Sequence, residues 1–162
     1  MNAFFPPLFT QTEEHDAIVE IMMKVNSTTN KVQKLVEKLG LTKKEKKKWL
    51  DVTDDDVLEF PVLSLDQLKQ IACGGYQLKM GKLYNEEFVG QEQNYKFFYY
   101  KPKKGLIRVK MQSRFSKRQR YYVWIDFKEY GRDVESIKGY YCQCKSGART
   151  IGCCSHTAAV SD

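Results

Sequence analysis

The sequence predicts an α+β protein in which N-terminal helices are followed by a small antiparallel sheet and a C-terminal ββα unit. Apolar residues recur at helical spacing through the first half, and extended stretches follow residue 90. Four of the five cysteines then fall within thirteen residues, beside a histidine. We expect three segments: a helical one over residues 1–60, a helix pair with a basic β-segment over 61–120, and the cysteine-rich unit over 121–162.

Three helices are predicted in the first segment. A threonine cap and early acidic residues predict the first over 13–24. Val32, Leu35, Val36 and Leu39 share one face of a second over 29–39, which Gly40 ends. Capping-box spacing starts a third, over 42–49, and the acidic residues 51–56 then form a linker.

Two more helices are predicted in the middle segment. Ser64 and Gln67 have capping-box spacing and begin a helix that runs to about Ala72. A longer helix follows over 76–88, although Gly81 weakens the pattern. Its predicted apolar side is Tyr76, Met80, Leu83, Tyr84 and Phe88.

Strands are predicted in the rest of the chain. Alternating or β-branched and aromatic runs occupy residues 95–100, 106–115 and 120–127, separated by turns at 101–105 and 116–119. A fourth strand is predicted over 137–144.

The cysteine-rich end carries two close pairs of metal-binding residue types. Cys142 and Cys144 are separated by one residue, so in a strand both point to the same face. Cys154 and His156 follow after a loop that Gly147 and Gly152 allow to turn back, and a short helix begins there. Three thiolates and one imidazole form a closed tetrahedral site for Zn²⁺, which is typical of a structural centre.

Roughly the last forty residues resemble the SWIM-type zinc finger. That family has Cys-x-Cys followed by Cys-x-His, after an aromatic β-segment and before a short helix. The resemblance implies a ββα zinc module that binds DNA or protein. It also implies Cys142, Cys144, Cys154 and His156 as the ligands. Cys153 could replace Cys154 in a Cys-x-x-His pair, so that ligand stays open. Buried cysteines without metal and a disulfide framework are the other interpretations, and the odd cysteine count argues against the second.

Basic residues accumulate in the same half of the chain. The formal net charge is +7, and residues 61–162 hold eighteen Lys or Arg against nine Asp or Glu. Residues 96–120 contain ten cations, interleaved aromatics and no acid, a composition that suits nucleic acid. A solvated sheet with aromatics facing its core is the simpler interpretation. The predicted nucleic-acid contacts are Lys103, Lys104, Arg108, Lys110, Arg114, Lys117, Arg118 and Arg120.

No catalytic constellation is recognisable, since His15 stands among first-turn acids and no phosphate loop or nucleophile elbow occurs. We therefore expect a non-enzymatic, intracellular and nuclear zinc-binding module. Its expected partner is nucleic acid or an acidic protein, with no membrane and no small-molecule substrate. The alternative is an accessory fragment of a larger transposase, recombinase or nuclease, because the chain ends barely one turn into its last helix.

Overall fold

The computed structural model describes residues 30–43, 45–52, 59–88, 91, 95–148 and 152–161. The helix predicted over 13–24, His15 and most of the acidic linker lie outside these residues. The described chain is α+β, as predicted. Its helices are α1 (Lys31–Leu39), α2 (Leu65–Ala72), α3 (Tyr76–Phe88) and α4 (Ser155–Ser161), with single 3₁₀ turns at Lys46–Lys48 and Val134–Ser136.

Five strands form one antiparallel sheet in which each strand pairs with its neighbour in sequence. The predicted strands in the second half of the chain are present, although two are shorter than expected. Strands from all three predicted segments contribute to this sheet. They are β1 (Trp49–Asp51), β2 (Tyr95–Tyr100), β3 (Leu106–Gln112), β4 (Arg120–Phe127) and β5 (Ile137–Cys142).

Two helix starts show how local sequence sets an element. Ser64 and Gln67 form the predicted capping box, each side chain bonding the other's backbone N–H. At α1, the Asn30 side chain accepts hydrogen bonds from two backbone N–H groups, and Gly40 ends the helix with φ 61°. The side chains of Asn30, Ser64 and Gln67 thereby pair N–H groups at the helix starts that would otherwise have no partner.

The prediction of a third helix over 42–49 is wrong. In the part of this segment that the structure describes, a single 3₁₀ turn forms, and Trp49 begins strand β1, paired with Tyr100. Trp49 is buried, and its ring lies 4.8 Å from that of Tyr100. Burial of this indole against the sheet outweighs the helix propensity of the lysine-rich turn before it.

The sheet has an apolar cluster on each face. One face packs against α3 and α4 through alternate residues of β3 and β4, such as Val109 and Val123. The opposite face packs against α1 through residues such as Leu106 and Trp124. A third cluster joins α2, α3 and α4. No helix in the described part of the chain is long and apolar enough to cross a membrane.

Helix α3 buries part of the predicted side, including Tyr84 and Phe88, but it is rotated relative to the prediction. Tyr76 and Leu83 are exposed, whereas Leu78, Gly81, Tyr84 and Phe88 are buried. Gly81 explains the rotation, because a Cβ there would lie 2.7 Å from the backbone nitrogen of Ala159. The glycine lets the backbones of α3 and α4 touch, and this contact sets which side of α3 faces inward.

Candidate metal centre

The first pair of cysteines lies at the end of β5 and in the turn that follows. Cys142 is the last residue of the strand, so Cys144 lies beyond it and not within it as predicted. The Cys142 N–H donates to the carbonyl of Gly147, whose own N–H donates to the carbonyl of Cys144. A Cβ at Gly147 would lie 1.9 Å from the Cys142 carbonyl oxygen. Only glycine therefore allows the turn to close this tightly around the two thiols.

The second pair lies at the start of α4. The Cys154 carbonyl accepts the hydrogen bond of the Ala158 N–H at 3.0 Å, so Cys154 precedes the helix and His156 lies in its first turn. The Cys154 sulfur also lies 3.4 Å from the Thr157 hydroxyl. Contact with α3 holds this short helix against the sheet, which brings both residues to the end of β5.

The four side chains converge on one point. One ligand atom from each of Cys142, Cys144, Cys154 and His156 lies within 4.8 Å of all the others, and this group could hold a metal ion. Cys142 Sγ and His156 Nδ1 are 3.8 Å apart. A tetrahedral zinc site with bonds of about 2.3 Å to sulfur has edges of about 3.8 Å, so the arrangement is close to that size.

Cys153 belongs to different surroundings from Cys154. It is 1% exposed and lies in the apolar cluster with Leu68, Ile71 and Leu78. The sequence left open which of the two neighbours faces the other ligands, and the structure brings Cys154 to them. All five cysteines are thiols rather than halves of disulfides.

The chemistry of the donor set fits zinc. Thiolate and imidazole ligands in a tetrahedral arrangement favour Zn²⁺ over the hard cations, which prefer oxygen. Cys142 and Cys154 are buried, whereas Cys144 and His156 are half-buried. Four protein ligands would leave no open position for substrate or water, as in structural rather than catalytic centres.

Protons occupy the cluster when no metal is bound. Hydrogen bonds with Cys144 and Cys154, together with burial, raise the pKa of Cys142. Hydrogen bonds from Cys142 and Cys144 lower the pKa of Cys154, although burial opposes them. Burial lowers the pKa of His156, but hydrogen bonds with Cys144 and Cys154 outweigh it and raise the value to about 9. A metal ion must therefore displace protons from Cys142 and His156, whereas the lowered pKa of Cys154 favours the thiolate that a metal needs.

Aromatic side chains support the cluster. The ring of Tyr121 lies 5.2 Å from the imidazole of His156, and that of Tyr84 meets it edge-on at 5.6 Å. The Tyr84 hydroxyl donates to the Gln112 carbonyl on β3. The Tyr140 hydroxyl donates to the Gly152 carbonyl at 2.7 Å, which ties the approach to Cys153 and Cys154 to the sheet. The sequence shows these tyrosines only as part of the strand pattern, and their supporting role depends on the folded contacts.

Arg108, one of the eight predicted nucleic-acid contacts, is buried within the sheet surface and only 5% exposed. Its guanidinium carbon lies 4.2 Å from the ring centre of Trp49, with Phe98 and Tyr122 at 5.0 and 4.7 Å. The side chain donates to the Leu41 carbonyl at 3.3 Å, and burial lowers its pKa. A contact between Arg108 and an external phosphate does not fit this position.

The other seven predicted contacts are distributed over three places. Lys103 and Lys104 lie in the turn between β2 and β3, whereas Arg114, Lys117 and Arg118 lie in the turn between β3 and β4. Lys110 and Arg120 lie within strands. Lys103 is bound to Asp126 at 2.6 Å and Arg114 to Glu87 at 3.0 Å. A continuous basic stretch in sequence therefore becomes two separate basic turns in space.

No family model, curated protein or solved structure matches this chain. The resemblance to SWIM-type zinc fingers therefore stays a prediction from the ligand spacing.

Proposed function

We propose that the chain is a zinc-binding module of SWIM type that binds nucleic acid. The convergence of Cys142, Cys144, Cys154 and His156 carries the proposal, because these residues come from two elements separated in sequence. Their residue types, spacing and burial suit a closed structural zinc site. Nothing in this role requires catalysis by the chain.

The zinc centre would fasten the C-terminal segment to the sheet. Helix α4 has seven residues, too few for an isolated helix to be stable in water. Zinc would join its first turn to the end of β5 and so complete the ββα arrangement of β4, β5 and α4. In small zinc-finger peptides metal binding contributes roughly 10 kcal/mol or more, far above the contribution of any single side-chain contact.

Nucleic acid is the proposed partner because positive charge is concentrated in the half of the chain that carries the centre. Lys104, Lys117 and Arg118 are exposed, and cations of this kind displace counterions from a phosphate backbone. Nuclear localisation would follow for a DNA-binding module. An acidic protein surface is the competing partner, and salt dependence together with direct titration separates the two.

Metal content of the purified chain tests the proposal. We expect one zinc per chain, retained by Cys153→Ser and lost by Cys154→Ser, because only the second sulfur lies in the cluster. The two variants make the same chemical change at neighbouring buried positions, so each controls for general destabilisation in the other. Zinc retained by Cys154→Ser, or absent from the unmodified chain, would refute the proposed centre.

Nucleic-acid binding is measured on the same zinc-loaded preparation. We expect an affinity that falls steeply as salt rises. Salt-insensitive binding to an acidic protein, without binding to DNA or RNA, would identify the module as a protein adaptor instead.

A further inference from the structure

A cleft of about 400 Å³ lies between the β3–β4 turn and the metal centre. One wall includes Phe115, Gln119 and Tyr121. The other wall includes Lys145 and Ser155, and Gln77 of α3 also contributes to the lining. Its volume lies within the range of small-ligand sites in proteins, roughly 300–1,000 Å³. The volume of the cleft is thus suited to a small ligand such as a single nucleotide.

Phe115 stands at the rim of this cleft with its side chain 98% exposed. Hydrogen bonds fix the turn around it, from the Phe115 N–H to the Ser113 hydroxyl and from the Ser113 N–H to the Gln119 carbonyl. The ion pair between Arg114 and Glu87 attaches the turn to α3. The backbone that carries the ring is therefore fixed by a bonded turn, and the ring itself is open to a stacking partner.

Cations flank the ring on both sides of the cleft. Lys117 and Arg118 are exposed on the same turn, and Lys145 is exposed on the opposite wall. The Arg120 guanidinium donates to the Lys117 carbonyl at 2.6 Å and so braces the turn. None of the described residues that line the cleft is acidic. The surroundings therefore favour an anionic ligand.

Two side-chain amides add a means of contacting base edges. In the described part of the chain, the side chains of Gln77 and Gln119, both of which line the cleft, have no hydrogen-bond partner within the protein. Each amide offers donors and an acceptor, which match the mixed edges of a nucleobase. An acidic peptide could use the cations and the amides, but its carboxylates would have no use for an exposed ring, which suits the flat face of a base.

We propose that this cleft binds an unpaired base of single-stranded nucleic acid, which stacks on Phe115 while Lys117, Arg118 and Lys145 contact its phosphates. The inference rests on the proposed function and specifies the partner and its position. Because the wall opposite Phe115 includes Cys144, Cys154 and His156, the metal would hold this wall in place. Stacking of a base on an aromatic side chain contributes to binding in many single-strand-binding proteins.

The test compares Phe115→Leu with Phe115→Tyr in the zinc-loaded full chain. Binding of labelled oligothymidylate and oligouridylate is followed by fluorescence anisotropy, beside a DNA duplex of the same length. Leucine removes the stacking surface and tyrosine retains it. We expect single strands to bind more tightly than duplex, with affinity about 5- to 150-fold lower in the leucine variant and near the original in the tyrosine variant. The two oligonucleotides decide between DNA and RNA as the preferred source of the base.

Unchanged single-strand affinity in Phe115→Leu would overturn the cleft as the base site, as would tighter binding of duplex than of single strand. Binding of an acidic peptide in place of either oligonucleotide would also overturn it. Zinc content measured on the same samples reports separately on the metal centre. A chain that keeps zinc and salt-dependent binding while failing the leucine test would refute only the cleft.

Discussion

Two basic turns lie at opposite ends of strand β3, and their side chains are in different environments. In the β2–β3 turn, Lys103 is paired with Asp126, and the Gly105 N–H donates to the Tyr99 hydroxyl at 3.1 Å. In the β3–β4 turn, Phe115 is almost fully exposed. The turns are roughly 20 Å apart along a seven-residue strand.

This contrast shows that the number of cations in a segment does not measure the charge available to a partner. Lys103 in the first turn and Arg114 in the second each have an anionic partner within the protein, whereas Lys117 and Arg118 extend from an exposed turn beside the metal centre. Surface pairs of this kind contribute little to stability, about 0–1 kcal/mol, but they reduce the local positive potential. The β3–β4 turn is therefore the better candidate for contact with a polyanion.

Metal removal should produce the largest difference between the two turns. Chelation would take away the link between β5 and α4, so residues 142–161 should lose protection from hydrogen exchange. The β2–β3 turn and α1 should keep theirs, because their contacts do not involve the cluster. Hydrogen–deuterium exchange with mass spectrometry measures both regions in one experiment. Equal loss of protection at the two ends of β3 would contradict this separation.

Acidification should lower the zinc affinity of the centre, because protons compete with the metal for its ligands. The pKa of His156 is raised to about 9 without metal, so the imidazole is protonated at neutral pH and must release its proton to bind zinc. Zinc affinity should therefore rise with pH towards about 9 and fall as pH decreases. Each displaced proton contributes about tenfold per pH unit. Competition with a zinc-binding dye across this pH range measures the slope, and a pH-independent affinity would contradict the assignment of His156 as a ligand.

Charge reversal should also distinguish the two turns, through a smaller effect on oligonucleotide affinity. We expect Lys117→Glu with Arg118→Glu to weaken oligonucleotide binding and to reduce its dependence on salt, by about one unit of slope for each phosphate that is no longer neutralised. Lys34→Glu with Lys38→Glu makes the same charge change on exposed positions of α1, across the sheet from α3 and α4. This control pair should leave binding nearly unchanged. Equal weakening by both pairs would show that net charge alone governs the affinity.

A third charge reversal, at Lys103 and Lys104, examines the β2–β3 turn. Its effect on binding should be the smaller, because Lys103 is already paired. Titration at two salt concentrations measures all three pairs together. A larger effect at Lys103 and Lys104 would place the partner at the wrong end of the sheet for the proposed cleft.

Local sequence signals predicted most of the regular structure. The Ser64–Gln67 capping box and Gly40 mark helix ends, because their hydrogen bonds and backbone freedom act within a few residues. Alternating aromatic and β-branched residues marked the strands for the same reason. The two pairs of ligand-type residues were visible as well, since thiol and imidazole spacing is itself a chemical pattern.

Contacts between distant residues decided the rest. Trp49 became a strand residue because Tyr100 and Arg108 meet it across the sheet, and Arg108 was buried by the same contacts. Gly81 determined which side of α3 is buried through its contact with α4.

The kinds of elements and the candidate metal donors could be predicted from the sequence alone, because they depend on spacing and on chemistry within a few residues. Tertiary packing was needed to place Cys154 rather than Cys153 among the donors and to open a cleft beside Phe115. Both outcomes depend on where β5, α4 and the β3–β4 turn meet. The packing of residues far apart in the chain determines these contacts, and no local sequence pattern encodes that packing.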